Sequence, residues 1–334
     1  DRVAKGVGLM GAKTNIEWWD HTLNQWRGCA KVSPGCANCY AETLSKRNPA
    51  VLGEWGPGKP RVLASEAMWK QPEKWNKRLT CDCGTVRIDP KDDRTSACPK
   101  CQSAFRRPRV FCGSLCDWLD PEVPVEWLAR LLDLIRRTPN LDWLLLTKRP
   151  ENWGRVDLAS ANLFSQGLKQ SGSAVDRWIE DGIPMANVWL GVSAEKQEYW
   201  DKRVPKLLSI PARVRFVSCE PLLGPIQMKL PAFRALASEA RPCGGREVTD
   251  NPTMVRYGAA PDQIILGGES GPKARPCDVQ WIRDGFIQCR EAGVAVFVKQ
   301  LGACSFDYRD DLGMRPASVA WTRHPFDKIG RAHV

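Results

Sequence analysis

Three stretches decide the fold: Arg109-Val-Phe-Cys112, Pro124-Val-Glu-Trp-Leu-Ala-Arg-Leu-Leu-Asp-Leu-Ile-Arg136 and Leu141-Asp-Trp-Leu-Leu-Leu-Thr147. The first and third are short apolar runs and read as buried strands. The second repeats its apolar positions at three and four, with proline near its start, and reads as a helix. Strand, helix and strand at this rhythm form the repeating unit of a parallel sheet with crossover helices. The rhythm continues in Asn187-Val-Trp-Leu-Gly-Val192, Val214-Arg-Phe-Val-Ser218, Gln263-Ile-Ile-Leu-Gly267 and Val294-Ala-Val-Phe-Val298. Helices are expected over residues 195–208, stopped by Ile210-Pro211, and over residues 280–292, closed by Gly293. Six such strands and at least one more near residue 29 predict an α/β fold built on a (β/α) barrel, partial or complete.

Polar residues follow every run: Ser114 and Asp117, Thr147 and Lys148, Ser193 and Glu195, Ser218 and Glu220, Glu269 and Ser270, Lys299 and Gln300. In parallel α/β folds the carboxyl ends of the strands carry the active site. The repetition predicts one ring of polar groups around one site.

Outside this frame, the expected parts are an N-terminal segment, residues 1–48, that belongs to the barrel, a basic insertion at 49–109, and the rest of the barrel at 110–304. An unpatterned insertion at about 231–262 and a polar tail at 305–334 complete the division. The 334 residues carry 49 basic and 38 acidic side chains, a net charge of +11 that favours an anionic partner such as nucleic acid. Fourteen cysteines are grouped in short spacings, and neither a secretory leader nor an apolar run of membrane-spanning length is visible. Metal ligation in a reducing cytoplasm, without a membrane, is therefore expected. Among the fifteen tryptophans, Trp18, Trp19, Trp26, Trp55, Trp69 and Trp75 either fill gaps between loops or offer a surface for stacking bases.

Two cysteine groups carry chemistry. The first is Cys29-Ala-Lys-Val-Ser-Pro-Gly-Cys36-Ala-Asn-Cys39-Tyr40. Three thiolates can hold three irons of a four-iron, four-sulfur cluster and leave the fourth iron open to a substrate or cofactor. Backbone donors of the Ser33-Pro34-Gly35 turn can tune its potential. The alternative is a zinc site completed by a histidine such as His21. The second group, Cys81-Asp-Cys83-Gly84 and Cys98-Pro-Lys-Cys101, has the paired arrangement of a structural zinc knuckle. Free thiols or a second iron–sulfur cluster are its alternatives. Around it lie Lys70, Lys74, Lys77, Arg78, Arg87, Arg94, Lys100, Arg106, Arg107 and Arg109, which suit a phosphate backbone or form a solvated face.

The three-cysteine loop before a parallel α/β barrel resembles the radical S-adenosylmethionine superfamily, and the chain is most similar to its phage-type Gp37/Gp68-like group. The segments that carry the likeness are Thr14-Asn-Ile-Glu-Trp18, Asn24, residues 28–42, Leu146-Thr-Lys-Arg-Pro150, residues 187–193, residues 215–224 and Gly267-Gly-Glu-Ser-Gly271. The superfamily's usual cysteine spacing is three residues, then two; this chain has six, then two, and so matches only the narrower group.

The resemblance implies a [4Fe–4S] cluster on Cys29, Cys36 and Cys39, S-adenosyl-L-methionine as cofactor, and an external one-electron reductant. A 5'-deoxyadenosyl radical would then abstract hydrogen from substrate. Tyr40 would border the adenine, and Ser193, Glu220, Glu269 and Ser270 would hold the ribose hydroxyls or the amino group. Lys148 and Lys299 would bind a substrate carboxylate or phosphate, and Asn15 and Glu17 would line the entrance. One of Cys112, Cys116 and Cys219 would donate hydrogen, unless these are small buried residues. The substrate implied is a modified base in DNA, with isomerisation of a glycyl adduct of thymine during phage DNA hypermodification, in a host cytoplasm. The alternatives are a radical enzyme of base repair or RNA modification and a zinc- and iron–sulfur-containing nucleic-acid-binding protein without catalysis.

Overall fold

A computed structural model describes residues 19–88, 97–231, 247–248, 255–256, 260–309 and 313–316. Asn15, Glu17, Trp18, Arg94, most of the insertion expected at 231–262 and most of the tail expected at 305–334 lie outside the described residues.

Seven parallel strands form one sheet: β1 (His21–Leu23), β2 (Arg109–Cys112), β3 (Asp142–Thr147), β4 (Val188–Ser193), β5 (Val214–Cys219), β6 (Gln263–Gly267) and β7 (Ala295–Gln300). Their order across the sheet is their order in the chain, with His21 opposite Val110, Arg109 opposite Asp142, Trp143 opposite Val188, and Gln263 opposite both Phe216 and Ala295. A parallel sheet that steps always to the next position curls on itself. The result is a half-barrel, open between β1 and β7 among the described residues. A seventh strand near the first cysteines is thus present, and the barrel is partial.

The helices follow from the apolar patterning. After α1 (Tyr40–Arg47) come α2 (Val125–Arg137), α3 (Arg155–Ser165), α4 (Lys169–Ile179), α5 (Gln197–Ser209) and α6 (Val279–Ala292). In α2, Leu128, Leu131, Leu132 and Ile135 are fully buried against the sheet. Gly293 closes α6 with φ +68°, a left-handed geometry that glycine adopts without strain.

Strand alternation splits the core in two. Val110, Trp143, Leu145, Val188, Leu190, Val217, Ile264 and Leu266 face the helices. Trp19, Phe111, Leu144, Phe216, Ile265 and Phe297 fill the concave side, and Trp19 stacks on Phe111 at 4.5 Å. Phe216 lies flat over Gly191, where a Cβ would stand 2.3 Å from its ring. The tryptophans Trp19, Trp26, Trp69 and Trp75 are at most 7 % exposed, so they are packing residues and offer no stacking surface.

The stretch expected as one insertion at 49–109 divides in two. Ala64, Trp69 and Trp75 belong to the main core, and Arg61 reaches into it to pair with buried Asp120 at 2.8 Å. Only the part from Arg78 onward stands on its own small core of Leu79, Cys81, Cys98 and Phe105. Its antiparallel strands Arg78–Thr80 and Val86–Ile88 form a hairpin. No helix among the described residues is long and apolar enough to cross a membrane.

Candidate active site and metal-binding knuckle

At the C-terminal rim of β2, β3 and β4, one pocket is lined by Cys29, Cys36, Cys39, Tyr40, Ser114, Cys116, Asp117, Lys148, Arg149 and Ser193. The three cysteines of the first group thus meet the strand-end polar residues that the alternation pointed to.

The cysteine loop is held from three sides. Its 3-10 turn, Pro34–Cys36, presents the Gly35 amide to Glu195 Oε1 at 3.0 Å. Glu195 is fully buried and also pairs with Arg203 at 3.0 Å. Burial raises the Glu195 carboxyl, but Ser33, Arg203 and the Gly35 amide outweigh it and hold the group below its ordinary value. On the second side, Asn38 Nδ2 donates to Glu269 Oε2 at 3.0 Å, and Arg275 bonds both oxygens of Glu269 and the Pro34 carbonyl. On the third, Arg149 donates to Cys29 Sγ at 3.3 Å and to the Ala30 carbonyl at 2.8 Å, and pairs with Asp117 at 3.1 Å. Asp117 in turn accepts from Thr147 Oγ1 and the Lys148 amide, which ties the loop to the end of β3.

This geometry sorts the expected cofactor- and substrate-binding residues. Tyr40, Ser193, Lys148 and Cys116 line the pocket. Tyr40 donates its hydroxyl to the Ser114 carbonyl at 2.6 Å, and Lys148 Nζ donates to Ser193 Oγ at 3.2 Å. Glu220 and Lys299 neutralise each other at 2.8 Å, with Gln300 on the same carboxylate. Glu269 is committed to the loop, and Ser270 is exposed outside the pocket. Cys112 and Cys219 do not reach the pocket: both point to the helix side and sit in the main core, at most 1 % exposed. His21 stacks on Trp75 at 4.3 Å and does not line the pocket.

Arg149, Asn38, Arg275 and Gln25 were not singled out by the sequence. Arg149 directly follows Lys148 in Leu146-Thr-Lys-Arg-Pro150, and that adjacency was the available signal. Asn38 lies inside the cysteine loop. Arg275 and Gln25 stand in no motif, and only folding brings them to the rim.

The second group is compact. The sulfurs of Cys81, Cys83, Cys98 and Cys101 all lie within 4.8 Å of one another, close enough to share one ion. Cys81 and Cys101 are 3.2 Å apart, and Cys83 and Cys98 are 3.6 Å apart. Two tight turns aim them inward: Gly84, at φ +83°, donates to the Cys81 carbonyl, and Gln102, at φ +61°, donates to the Cys98 carbonyl. The four cysteines can bind a metal. In the first group the three cysteines line one pocket. An all-sulfur donor set with Arg149 donating to one sulfur suits an iron–sulfur cluster.

Of the basic residues around the knuckle, Arg106 bonds Asp20 and Asp82, Arg107 pairs with Asp142, and Arg109 lies over Trp189. These three hold the knuckle to the sheet. Lys70, Lys74, Lys77, Arg78 and Lys100 are exposed and form no ion pair with a described residue.

Comparison with curated proteins and with solved structures returns no match. A family described as a protein of unknown function, DUF5131, matches residues 13–328, a span that includes the half-barrel, the pocket and the knuckle, and the chain belongs to that family.

Proposed function

We propose that this chain is a radical S-adenosylmethionine enzyme acting on a modified nucleobase in DNA. The observation that supports it is the convergence of Cys29, Cys36 and Cys39 with Tyr40, Lys148 and Ser193 on one pocket at the rim of a parallel half-barrel. Cys29, Cys36 and Cys39 would hold a four-iron, four-sulfur cluster, which with S-adenosyl-L-methionine would supply radical chemistry for abstracting hydrogen from substrate.

The chain's own residues have separable tasks. Glu195, Glu269 and Arg275 fix the loop that carries the three thiolates. Tyr40 and Ser193 offer an aromatic edge and a hydroxyl for the nucleoside part of the cofactor. Lys148 is a pocket cation with no ion pair among the described residues, whereas Lys299 is already neutralised by Glu220. Lys148 therefore takes the substrate anion, which in a glycyl adduct of thymine is the carboxylate. Cys116 is the one of the three expected hydrogen donors that faces the pocket. The knuckle, with zinc on its four cysteines, presents Arg78 and Lys100 to the DNA backbone beside Lys74 and Lys77 of the preceding segment, and the target base reaches the pocket extruded from its duplex.

Anaerobic reconstitution followed by reduction tests the enzyme reading. Cleavage of S-adenosylmethionine to 5'-deoxyadenosine is expected, with loss of that activity in Cys36→Ala. An intact four-iron cluster without cleavage overturns the reading. Incubation with hypermodified phage DNA and nucleoside mass analysis, read by retention time and fragmentation because isomers share a mass, tests the substrate.

A further inference from the structure

Four sulfurs face the pocket, because Cys116 lines it beside Cys29, Cys36 and Cys39. A tight turn places it there. Gly113 has φ +86°, and a Cβ on it would stand 3.0 Å from Cys116 Sγ. Behind the turn lies Gln25, fully buried. Its amide oxygen accepts from Cys112 Sγ at 3.2 Å, which directs the amide nitrogen at Cys116 Sγ, 3.7 Å away. The Cys116 sulfur is thus held as a hydrogen-bond acceptor, as Cys29 is by Arg149. N–H donors aimed at sulfur are the surroundings of a metal-bound thiolate.

We propose that Cys116 is a fourth, exchangeable thiolate ligand of the cluster, bound to the otherwise open iron while S-adenosylmethionine is absent. This rests on the cluster assigned above to Cys29, Cys36 and Cys39. When the cofactor arrives, the bond from iron to Cys116 sulfur breaks and bonds from iron to the cofactor's amine and carboxylate form. The cofactor's ammonium gives up one proton as its amine binds, the released thiolate takes that proton up, and no electron moves. The exchange protects the fourth iron in the resting protein and leaves a thiol beside the substrate once the cofactor is seated.

The test uses the full chain, reconstituted anaerobically with iron and sulfide, then oxidised mildly without cofactor. Wild type is expected to keep all its cluster iron. Cys116→Ala is expected to lose one iron in four and to give the paramagnetic signal of a three-iron cluster. Cys116→Ser gives a second variant of nearly unchanged shape, with the same expectation. In wild type, S-adenosylmethionine should expose Cys116 to alkylation, read by peptide mass spectrometry. Equal iron retention in wild type and both variants overturns the proposal and leaves the cluster assignment standing. A wild-type chain that assembles no four-iron cluster overturns both.

Discussion

Arg149 donates a hydrogen bond to the sulfur of Cys29 across 3.3 Å while its guanidinium also pairs with Asp117 at 3.1 Å. Burial pushes the Cys29 thiol up to about 12, the Asp117 charge adds to that, and Arg149 works against both. A positive donor on a cluster thiolate favours the more negative, reduced cluster. Such a charged hydrogen bond is worth about 1.5–3 kcal/mol, which for one electron corresponds to roughly 60–130 mV. With the proposed cluster on Cys29, Arg149→Gln should therefore lower the midpoint potential by up to that amount in a redox titration followed by absorbance. An unchanged potential with full iron content would show that the contact is only structural.

Glu269 links the loop's Asn38 to Arg275, and the depressed carboxyl gives this clamp a defined pH range. Burial raises the Glu269 carboxyl, yet hydrogen bonds from Arg275 and Asn38 bring it below its ordinary 4.5. A carboxyl lowered on folding stabilises the native state above its unfolded value, and that stability disappears as pH falls through the folded value. Glu269→Gln, which removes the charge and keeps the shape, should cost about 1–3 kcal/mol near neutral pH. Thermal melts of the two proteins should converge only as pH falls below 4.5 and through the folded carboxyl's lowered value. A constant gap across that range would assign the loss to packing.

The half-barrel was legible because its strands are continuous apolar runs with helices of regular period between them. Val110, Trp143, Val188 and Val217 sit where that pattern placed them. The close set of Cys81, Cys83, Cys98 and Cys101 was legible from spacing alone. Three features were not. Counting strand ends identified Lys299 and Glu220 as separate candidates, but a salt bridge joins residues 79 positions apart, and no local pattern encodes it. Cys112 and Cys116 look alike in sequence, yet a positive-φ turn at Gly113 sends one to the core and the other to the pocket. Arg106, Arg107 and Arg109 read as part of a basic patch, because their partners Asp20, Asp82, Asp142 and Trp189 come from four separate stretches of chain.

The knuckle should depend on its metal while the half-barrel does not. Among the described residues its core is Leu79, Cys81, Cys98 and Phe105, too small to hold a fold of its own without a further staple. Against burial, hydrogen bonds from Thr85 and from the amides of Lys100 and Cys101 lower the Cys98 thiol, while burial and the neighbouring sulfurs push the Cys81 thiol up to about 12. Removing metal with a chelator, or making Cys98→Ser, should open residues 78–107 to protease and leave the melting of the remaining chain nearly unchanged. Metal analysis should lose one ion per chain in the variant. A cooperative collapse of the whole protein would show that the knuckle and half-barrel fold as one unit.

The exposed cations divide the basic residues into two classes that salt can separate. Lys77 and Arg78 are exposed at the start of the hairpin and form no ion pair with a described residue, whereas Arg106 is spent on Asp20 and Asp82. Each phosphate contact on duplex DNA adds about 0.9 to the slope of log affinity against log salt concentration. Lys77→Ala with Arg78→Ala should therefore flatten that slope by roughly 1.8 and leave stability within about 0.5 kcal/mol of wild type. Arg106→Ala should do the reverse: it lowers the stability of the knuckle's attachment and leaves the slope of the folded protein as it was. Gel-shift titrations at four salt concentrations, paired with denaturant melts, read both quantities. Binding that is absent or insensitive to salt in the wild-type chain would remove the knuckle from DNA recognition, and the cations around it would then be a solvated face.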